Sequence, residues 1–203
     1  MKMKFIFITF SLLLLPYYHS SPVAKKIKAL ATTTIIYDIA INIAGNKIEV
    51  LCLMPVGGDP HLYDPVPGDA QKVVESDVVL KNGLMLEGWL DEIIENAGGN
   101  RPIVVVTKGI KPKISEAFHS SPDPHAWMDP ILVIEFARNI KNTFIQLDAK
   151  NAGYYTENFT RYKQKLIELD SYIKNNIYTI PEQKRVLITS HDAFRYYGTR
   201  YGI

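Results

Sequence analysis

Two short stretches of the sequence place a histidine in the same setting. The first reads GGDPHLYDP and contains His61, and the second reads SSPDPHAWMDP and contains His125. In both, the histidine follows Asp-Pro and precedes a second Asp-Pro. Neutral imidazole is the commonest protein ligand for transition metals, and each proline restricts the neighbouring backbone. The repeat therefore predicts two imidazoles that are held in place for metal binding.

A third histidine occupies a comparable position. His191 directly follows the apolar run RVLITS, His61 follows KIEVLCLM, and His125 follows PIVVVTKG after a loop. Each run reads as a β-strand, and ligands of α/β proteins bind outside the carboxyl ends of the strands. We therefore expect the three imidazole nitrogens to converge within about 5 Å, because Zn–N bonds measure about 2.0–2.1 Å. His19 lies near the N-terminus and is assigned no role, and His119, in the loop at residues 111–124, is a weaker candidate for a metal contact.

Carboxylates accompany each of these histidines in the sequence. Such groups can ligate a metal directly, or they can orient an imidazole by accepting its second N–H. The candidates are Asp59, Asp64, Asp123, Asp129 and Asp192.

A catalytic zinc site is an alternative interpretation of the same residues. A zinc ion that is held by three histidines and has one open position can lower the pKa of its bound water to about 7. None of the three candidate histidines has a glutamate at helical spacing, and no general base is obvious beyond the nearby aspartates. A zinc-dependent hydrolase is therefore the less favoured alternative.

The elements that must position these residues alternate between strand and helix. The strand runs are short and nearly continuously apolar, which indicates a parallel sheet covered on both faces. They lie near residues 27–36, 47–54, 77–83, 102–109 and 184–190, and the helices between them near 37–45, 66–76, 86–99 and 129–148.

A long helix is predicted for residues 152–177. Its apolar stripe comprises Tyr155, Phe159, Tyr162, Leu166, Leu169 and Ile173. That spacing marks one face of a rod roughly 36 Å long. A coiled-coil seam and a spine packed across a domain both fit the pattern, and the short stripe favours the spine. Lys163, Lys165 and Glu168 should then face solvent.

The N-terminus and the charge limit where the protein acts. Residues 1–24 combine Lys2 and Lys4 with a short apolar run, which is typical of a secretory signal peptide. An uncleaved membrane anchor is the alternative. Without that segment the net charge of +2 falls to about zero, which argues against a nucleic-acid partner. Cys52 is the single cysteine, so no internal disulfide is expected.

These motifs together resemble the periplasmic metal-binding proteins of bacterial ABC transporters for zinc, manganese and iron. The resemblance rests on PVGGDPHLYDPVPGD, SDVVLKNGLMLEGWLD, DPHAWMDP and TSHDAFRYYGTRYGI, in that order. It implies two α/β lobes joined by one long helix, with the metal between the lobes. On matching positions His61 and His125 would be ligands from the first lobe and His191 a ligand from the second. The implied partner is a membrane permease, and a monomer in the periplasm is expected.

The resemblance also sets the expected organisation of the chain. We expect an α/β fold with an N-terminal parallel-sheet lobe and flanking helices, a long interlobe helix, and only the first strand–helix unit of a second α/β lobe. The expected segments are a signal peptide, a metal-binding lobe, the spine helix and the truncated start of a second lobe, at residues 1–24, 25–149, 150–178 and 179–203.

One departure from the family pattern bears on metal binding. Many members take a fourth, acidic ligand from deep in the second lobe, and this sequence ends before that point. A truncated paralogue with weak or no metal binding is therefore an alternative. The loop at residues 111–124 contains one histidine, unlike the long His-rich loop of many zinc-specific members. Zinc, manganese and iron all remain expected ligands.

Overall fold

The structure, a computed structural model, describes residues 25–115 and 120–203. The predicted signal peptide and His119 lie outside these ranges. Among the described residues, no helix is both long and apolar enough to span a membrane. The strands and α-helices, in chain order, are β1 (Lys28–Ala31), α1 (Thr34–Ala44), β2 (Glu49–Cys52), α2 (Pro67–Glu75), β3 (Val78–Lys81), α3 (Leu90–Ala97), β4 (Ile103–Val105), β5 (Ile114–Ser115), β6 (Ser121–Pro122), α4 (Pro130–Leu147), α5 (Ala152–Ile177) and α6 (Arg195–Tyr201).

Four strands form one parallel sheet in the order β2–β1–β3–β4. All of its carboxyl ends therefore lie along one edge, where the loops after β2 and β4 carry His61 and His125. Strands β5 and β6 form a separate antiparallel pair just before His125. The predicted parallel α/β fold with flanking helices and a long helix is confirmed.

The sheet separates two apolar cores. Leu30 and Val79 point to one face, where they pack with Val73, Leu90 and Ile93 of α2 and α3. Their neighbours in the same strands point to the other face and join α1, α4 and α5 in the larger core. Successive residues of a strand face opposite sides, so a strand covered on both faces must be apolar throughout. This explains the continuous apolar runs of the sequence.

Local signals set the helix boundaries near the sequence-based positions. Helix α1 begins after Thr33, whose hydroxyl accepts a hydrogen bond from the N–H of Ile36. It ends at Gly45, whose φ of 54° suits glycine, and a Cβ there would collide with the ring of Tyr154. Helix α4 begins after Asp129 with proline in its first turn, as expected.

Helix α5 is unbroken over the predicted range, but its apolar stripe is only half covered. Tyr155, Phe159 and Leu166 are buried in the larger apolar core, whereas Leu169 is 45% exposed. The covering elements, α1 and α4, pack against the N-terminal part of α5. The expectation that the whole stripe faces protein is therefore wrong for the C-terminal part. The expected solvent exposure of Lys163, Lys165 and Glu168 is confirmed.

The strand predicted at residues 184–190 is not formed. Residues 186–190 have no regular structure, and Val186 and Ile188 are 73% and 90% exposed. A strand needs a neighbour to satisfy its backbone hydrogen bonds, and no described strand lies beside this segment. Its β-branched composition indicated the propensity without supplying a partner. The helix expected after it is present as α6.

The half-covered stripe of α5 gives a direct stability test. Leu166→Ala should lower the free energy of unfolding by about 2–4 kcal/mol, because it removes buried methyl groups and leaves a cavity. Leu169→Ala, one turn along the same helix, should change it by less than about 1 kcal/mol, since that side chain is half exposed. Urea denaturation followed by circular dichroism measures both. Equal losses in the two variants would contradict the observed packing.

Candidate metal centre

The three predicted histidines meet at one point. The Nε2 atoms of His61 and His125 lie 3.0 Å apart, and those of His191 and His125 lie 3.1 Å apart. The three potential ligand atoms all fall within 4.8 Å of one another, and each pair of ring centroids is 5.0 Å apart. Ligand atoms around a tetrahedral zinc with bonds of about 2.0–2.1 Å would be about 3.3 Å apart. The expected convergence within about 5 Å is confirmed.

Both Asp-Pro-His corners are built by the same local hydrogen bond. The carboxylate of Asp59 accepts from the N–H of His61 at 2.9 Å, and the carboxylate of Asp123 accepts from the N–H of His125 at 2.9 Å. An aspartate side chain that bonds the backbone two residues ahead forms an Asx turn. The intervening proline lacks an N–H and fixes φ. The repeated sequence motif therefore corresponds to a repeated turn that presents a histidine.

The second corner carries an additional contact. Oδ1 of Asp123 lies 2.7 Å from Nδ1 of His125, and both side chains are almost fully buried. A carboxylate accepts hydrogen bonds, so Nδ1 must carry the proton, and Nε2 presents its bare lone pair to the cluster. Burial alone would raise the pKa of Asp123, but the hydrogen bonds from the ring and the backbone of His125 lower it below its usual value. Asp123 thus stays ionised and fixes the tautomer of His125.

The third histidine is held by a turn before α6. The carbonyl of His191 accepts from the N–H of Ala193 at 2.9 Å and from the hydroxyl of Thr189 at 2.8 Å. His191 and His61 are both exposed, whereas His125 is buried. The cluster therefore has one sequestered imidazole and two imidazoles that reach it from the surface.

The three imidazoles are better arranged to bind a cation than to form hydrogen bonds with one another. Nε2 of His125 has one lone pair, so it cannot serve as a good acceptor for both neighbouring rings at once. Burial and the nearby imidazoles of His125 and His191 lower the pKa of His61. That ring therefore remains neutral to lower pH than a free histidine, and its lone pair stays available. A cation that accepts several lone pairs would resolve the crowding of nitrogen atoms.

A cavity of about 180 Å³ adjoins the cluster. Its wall includes Leu84 and Met85, both in the left-handed region, with φ of 53° and 65°. Such a backbone is unfavourable for residues other than glycine. It persists because the buried carboxylate of Glu87 accepts hydrogen bonds from the N–H groups of Asn82 and Gly83. One buried acid therefore shapes the wall of the site.

Glu87 also links this wall to the sheet. Its Oε1 accepts from the hydroxyl of Thr32 at 2.8 Å, just beyond β1. Burial raises the pKa of Glu87, and the hydrogen bonds from Asn82, Thr32 and Gly83 oppose that rise. The side-chain amide of Asn82 donates to the carbonyl of Pro124, next to His125, at 3.2 Å. The wall, the sheet and the second corner thus form one connected structure.

The first corner depends on Asp69 of α2. Its fully buried carboxylate accepts from the hydroxyl of Tyr63 at 2.7 Å and the N–H of Val66 at 2.9 Å, and it pairs with Lys72 at 3.1 Å. Burial would raise the pKa of Asp69, but these hydrogen bonds lower it below its usual value. Trp89 adds a further contact through its N–H, which donates to the carbonyl of Pro60.

Among the five candidate carboxylates, only Asp123 contacts an imidazole in the described structure. Asp59 forms a turn, Asp129 caps α4, and Asp192 pairs with Arg195. Asp64 is exposed. Three further groups support the site but were not predicted from the sequence. They are Asp69, Glu87 and Tyr196, whose hydroxyl donates to the carbonyl of Asp123. Asp69 was detectable, because it is the third residue of a helix that opens with Pro67; the other two depend on contacts distant in sequence.

Comparison with known proteins places this site in context. Residues 30–203 match the protein family described as "Zinc-uptake complex component A periplasmic". The chain is 35% identical to the metal ABC transporter substrate-binding lipoprotein FimA of Streptococcus parasanguinis, over 98% of this chain and 67% of that protein. It is also 35% identical to the manganese ABC transporter substrate-binding lipoprotein PsaA of Streptococcus pneumoniae, over 89% and 61%.

Solved structures agree with these sequence matches. A Mn-bound periplasmic metal binding protein from Candidatus Liberibacter asiaticus superposes with a TM-score of 0.80 at 33% identity, over 87% of this chain and 66% of that one. The periplasmic zinc binding protein TroA from Treponema pallidum gives a TM-score of 0.81 at 31% identity, over 88% and 65%. The chain thus spans about 61–67% of the length of these proteins.

Replacing the buried acid of the cavity wall should destabilise the protein. Glu87→Gln keeps the size but offers one acceptor oxygen to three donors, and its amide would face backbone N–H groups. We expect a loss of about 2–3 kcal/mol in the free energy of unfolding, measured by urea denaturation. Glu92→Gln, an exposed change on α3, is the matched control and should stay within about 0.5 kcal/mol. A loss no larger than that of the control would contradict the role of Glu87.

Asp69 should make stability depend on pH in a defined direction. Its pKa is lower in the folded protein than the value of about 3.9 expected for an unfolded chain. Its contribution is therefore complete above about pH 4 and is lost as the pH falls through the folded-state pKa. Asp69→Asn should cost about 2 kcal/mol at pH 7, and the gap to the wild type should narrow below about pH 4.

Urea denaturation across this pH range measures the effect. Asp91→Asn on α3 is the control, because Asp91 is mostly exposed and makes only a surface ion pair with Lys81. A gap between wild type and Asp69→Asn that is constant from pH 7 to pH 3 would show that Asp69 does not act through its charge.

Proposed function

Because the chain belongs to the family described as zinc-uptake complex component A, periplasmic, we propose that it is the metal-capturing component of an ABC transporter. It would bind a divalent transition metal outside the cytoplasm and deliver the ion to a membrane permease for import. The observation that carries this proposal is the convergence of three imidazole Nε2 atoms, one of them held in the ligating tautomer by Asp123. The proposed ligands are His61, His125 and His191.

The proposed ligand set allows several metals. Three imidazoles suit zinc, and zinc binds nitrogen donors more tightly than iron(II) or manganese(II) do. The relatives named above include a manganese transporter component, a Mn-bound protein and a zinc binding protein. We propose zinc, manganese or iron as the cargo, with zinc bound most tightly by these three side chains alone.

The buried position of His125 supports capture rather than catalysis. Its carboxylate partner, Asp123, is buried, and Oδ1 of that carboxylate bonds both the ring and the backbone of His125, which makes Asp123 a support of the imidazole rather than an exposed general base. The relatives are named as substrate-binding proteins. We therefore do not propose the zinc-dependent hydrolase considered from the sequence.

The remaining proposals concern organisation and location. We propose that residues 25–149 form the metal-binding lobe, that residues 150–178 are the connecting spine, and that residues 179–203 begin a second lobe. We further propose a monomer that acts in the periplasm after export by the segment 1–24. The relatives' names, which include lipoproteins and periplasmic proteins, support a site of action outside the cytoplasm.

Metal titration tests the proposal. Isothermal calorimetry of the mature chain with Zn²⁺ and Mn²⁺ at pH 7.5 should give one site, with zinc bound more tightly. His61→Ala, His125→Ala and His191→Ala should each weaken zinc binding by at least about 100-fold, since even indirect partners of metal ligands are worth 10–100-fold. Gln164→Ala is the control, because Gln164 is exposed and bonds Glu168 along α5.

Zinc affinity should also fall by at least about tenfold between pH 7.5 and pH 5. Protons compete with the metal for the imidazoles, and free histidine titrates near pH 6.5. The lowered pKa of His61 should move part of this loss to the lower end of the range. Zinc binding that is independent of pH, or unaffected by all three alanine variants, would refute the proposed site.

A further inference from the structure

Tyr196 of α6 connects this helix to the segments on either side of β5 and β6. Its side chain is 2% exposed, and its hydroxyl accepts a hydrogen bond from the N–H of Lys113 at 3.0 Å and donates one to the carbonyl of Asp123 at 2.9 Å. These two residues stand opposite each other where β5 begins and β6 ends, and the N–H of Asp123 donates to the carbonyl of Lys113 at 2.8 Å. The phenol therefore closes the open end of that strand pair.

The same strand pair carries the partner of the buried ligand. Asp123 orients His125 through its carboxylate and meets Tyr196 through its carbonyl. A second link joins the same elements, because the guanidinium of Arg195 donates to the carbonyl of Ile114 at 2.8 Å. The first turn of α6 is thus anchored directly on the segment that positions His125.

The position of His191 depends on this anchor. The segment before it does not fix it, because residues 186–190 form no strand and Val186 and Ile188 are largely exposed. The segment after it is short and turns directly into α6. His191 therefore takes its place relative to His125 from the hydrogen bonds of Tyr196 and Arg195.

The far end of α6 has a separate anchor. Arg200 bonds both carboxylate oxygens of Asp170 on α5, at 2.5 and 2.8 Å, and lies 3.3 Å from Asp129. Tyr201 donates to Asp170 as well. Loss of the Tyr196 hydroxyl would therefore leave the helix attached and release only the end next to His191.

We propose that Tyr196 is a positioning residue for metal capture, whose hydroxyl sets the distance between His191 and His125. This inference rests on the proposed function, because it assumes that both histidines bind the metal. Tyr196 itself does not contact the ion. Its effect comes from fixing the start of α6, next to His191, to the Asp123 segment that holds His125.

The test compares two tyrosine-to-phenylalanine variants of the full mature chain. Tyr196→Phe keeps the ring and removes the bridging hydroxyl. Tyr197→Phe is the matched control, because its ring packs against Tyr201 at 4.7 Å and its hydroxyl makes no hydrogen bond to the described residues. Competition with a chromophoric chelator should show zinc binding about tenfold weaker in Tyr196→Phe and unchanged in Tyr197→Phe.

A double-mutant cycle separates positioning from a general effect on the fold. In a His191→Ala background, Tyr196→Phe should cause no further loss of zinc affinity, because the ligand that it positions is gone. The visible absorption of bound Co²⁺ in Tyr196→Phe should shift toward that of His191→Ala. Thermal denaturation without metal checks that both phenylalanine variants are folded.

The outcomes separate this inference from the proposed function. Wild-type affinity in Tyr196→Phe would overturn the inference, and so would an equal loss in both backgrounds, which would place the effect on Asp123 and His125 instead. Failure of the wild-type chain to bind zinc would overturn the proposed function, and this inference with it.

Discussion

The hydrogen bond between the carboxylate of Asp123 and the imidazole of His125 is the interaction on which the rest of the site depends. Burying a carboxylate costs several kcal/mol unless it is well paired, and Asp123 is 1% exposed. Two bonds from one histidine, through its backbone and its ring, offset that cost. The acid can be buried only if the histidine adopts the orientation and tautomer that leave Nε2 free. Stability and ligand geometry are therefore set by the same contact.

The remaining parts of the site divide between a well-packed side and a sparsely packed one. The parallel sheet brings the ends of β2 and β4 to one edge, and Glu87 and Asp69 hold the loops beyond that edge through buried hydrogen bonds. His191 arrives from a segment with little packing of its own. A binding site of this kind can adjust its sparsely packed side to a ligand without rearranging its core.

The sequence predicted what depends on local chemistry and periodicity. The repeated Asp-Pro-His motif identified two of the three converging histidines, and the spacing of apolar residues predicted the extent of α5. His191 was predicted from the end of a strand that does not form. The sequence failed where the answer depends on a distant partner. Residues 184–190 have the composition of a strand but no neighbour to pair with, and Leu169 continues a stripe that nothing in the described chain covers. Glu87 contacts Thr32, which is 55 positions away, and Tyr196 contacts Lys113, which is 83 positions away. No local sequence pattern reveals such contacts.

The two Asx turns have a consequence for protein engineering. Each turn is closed by a bond between residues only two positions apart, so three consecutive residues encode that bond, whatever further contacts the surrounding fold adds. Asp-Pro-His is then a short motif that could be transferred to another protein to present an imidazole. In an exposed loop of an unrelated scaffold, the motif should form the same Asx turn. The designer would then add the contact between a carboxylate oxygen and Nδ1 of the histidine, which selects the tautomer.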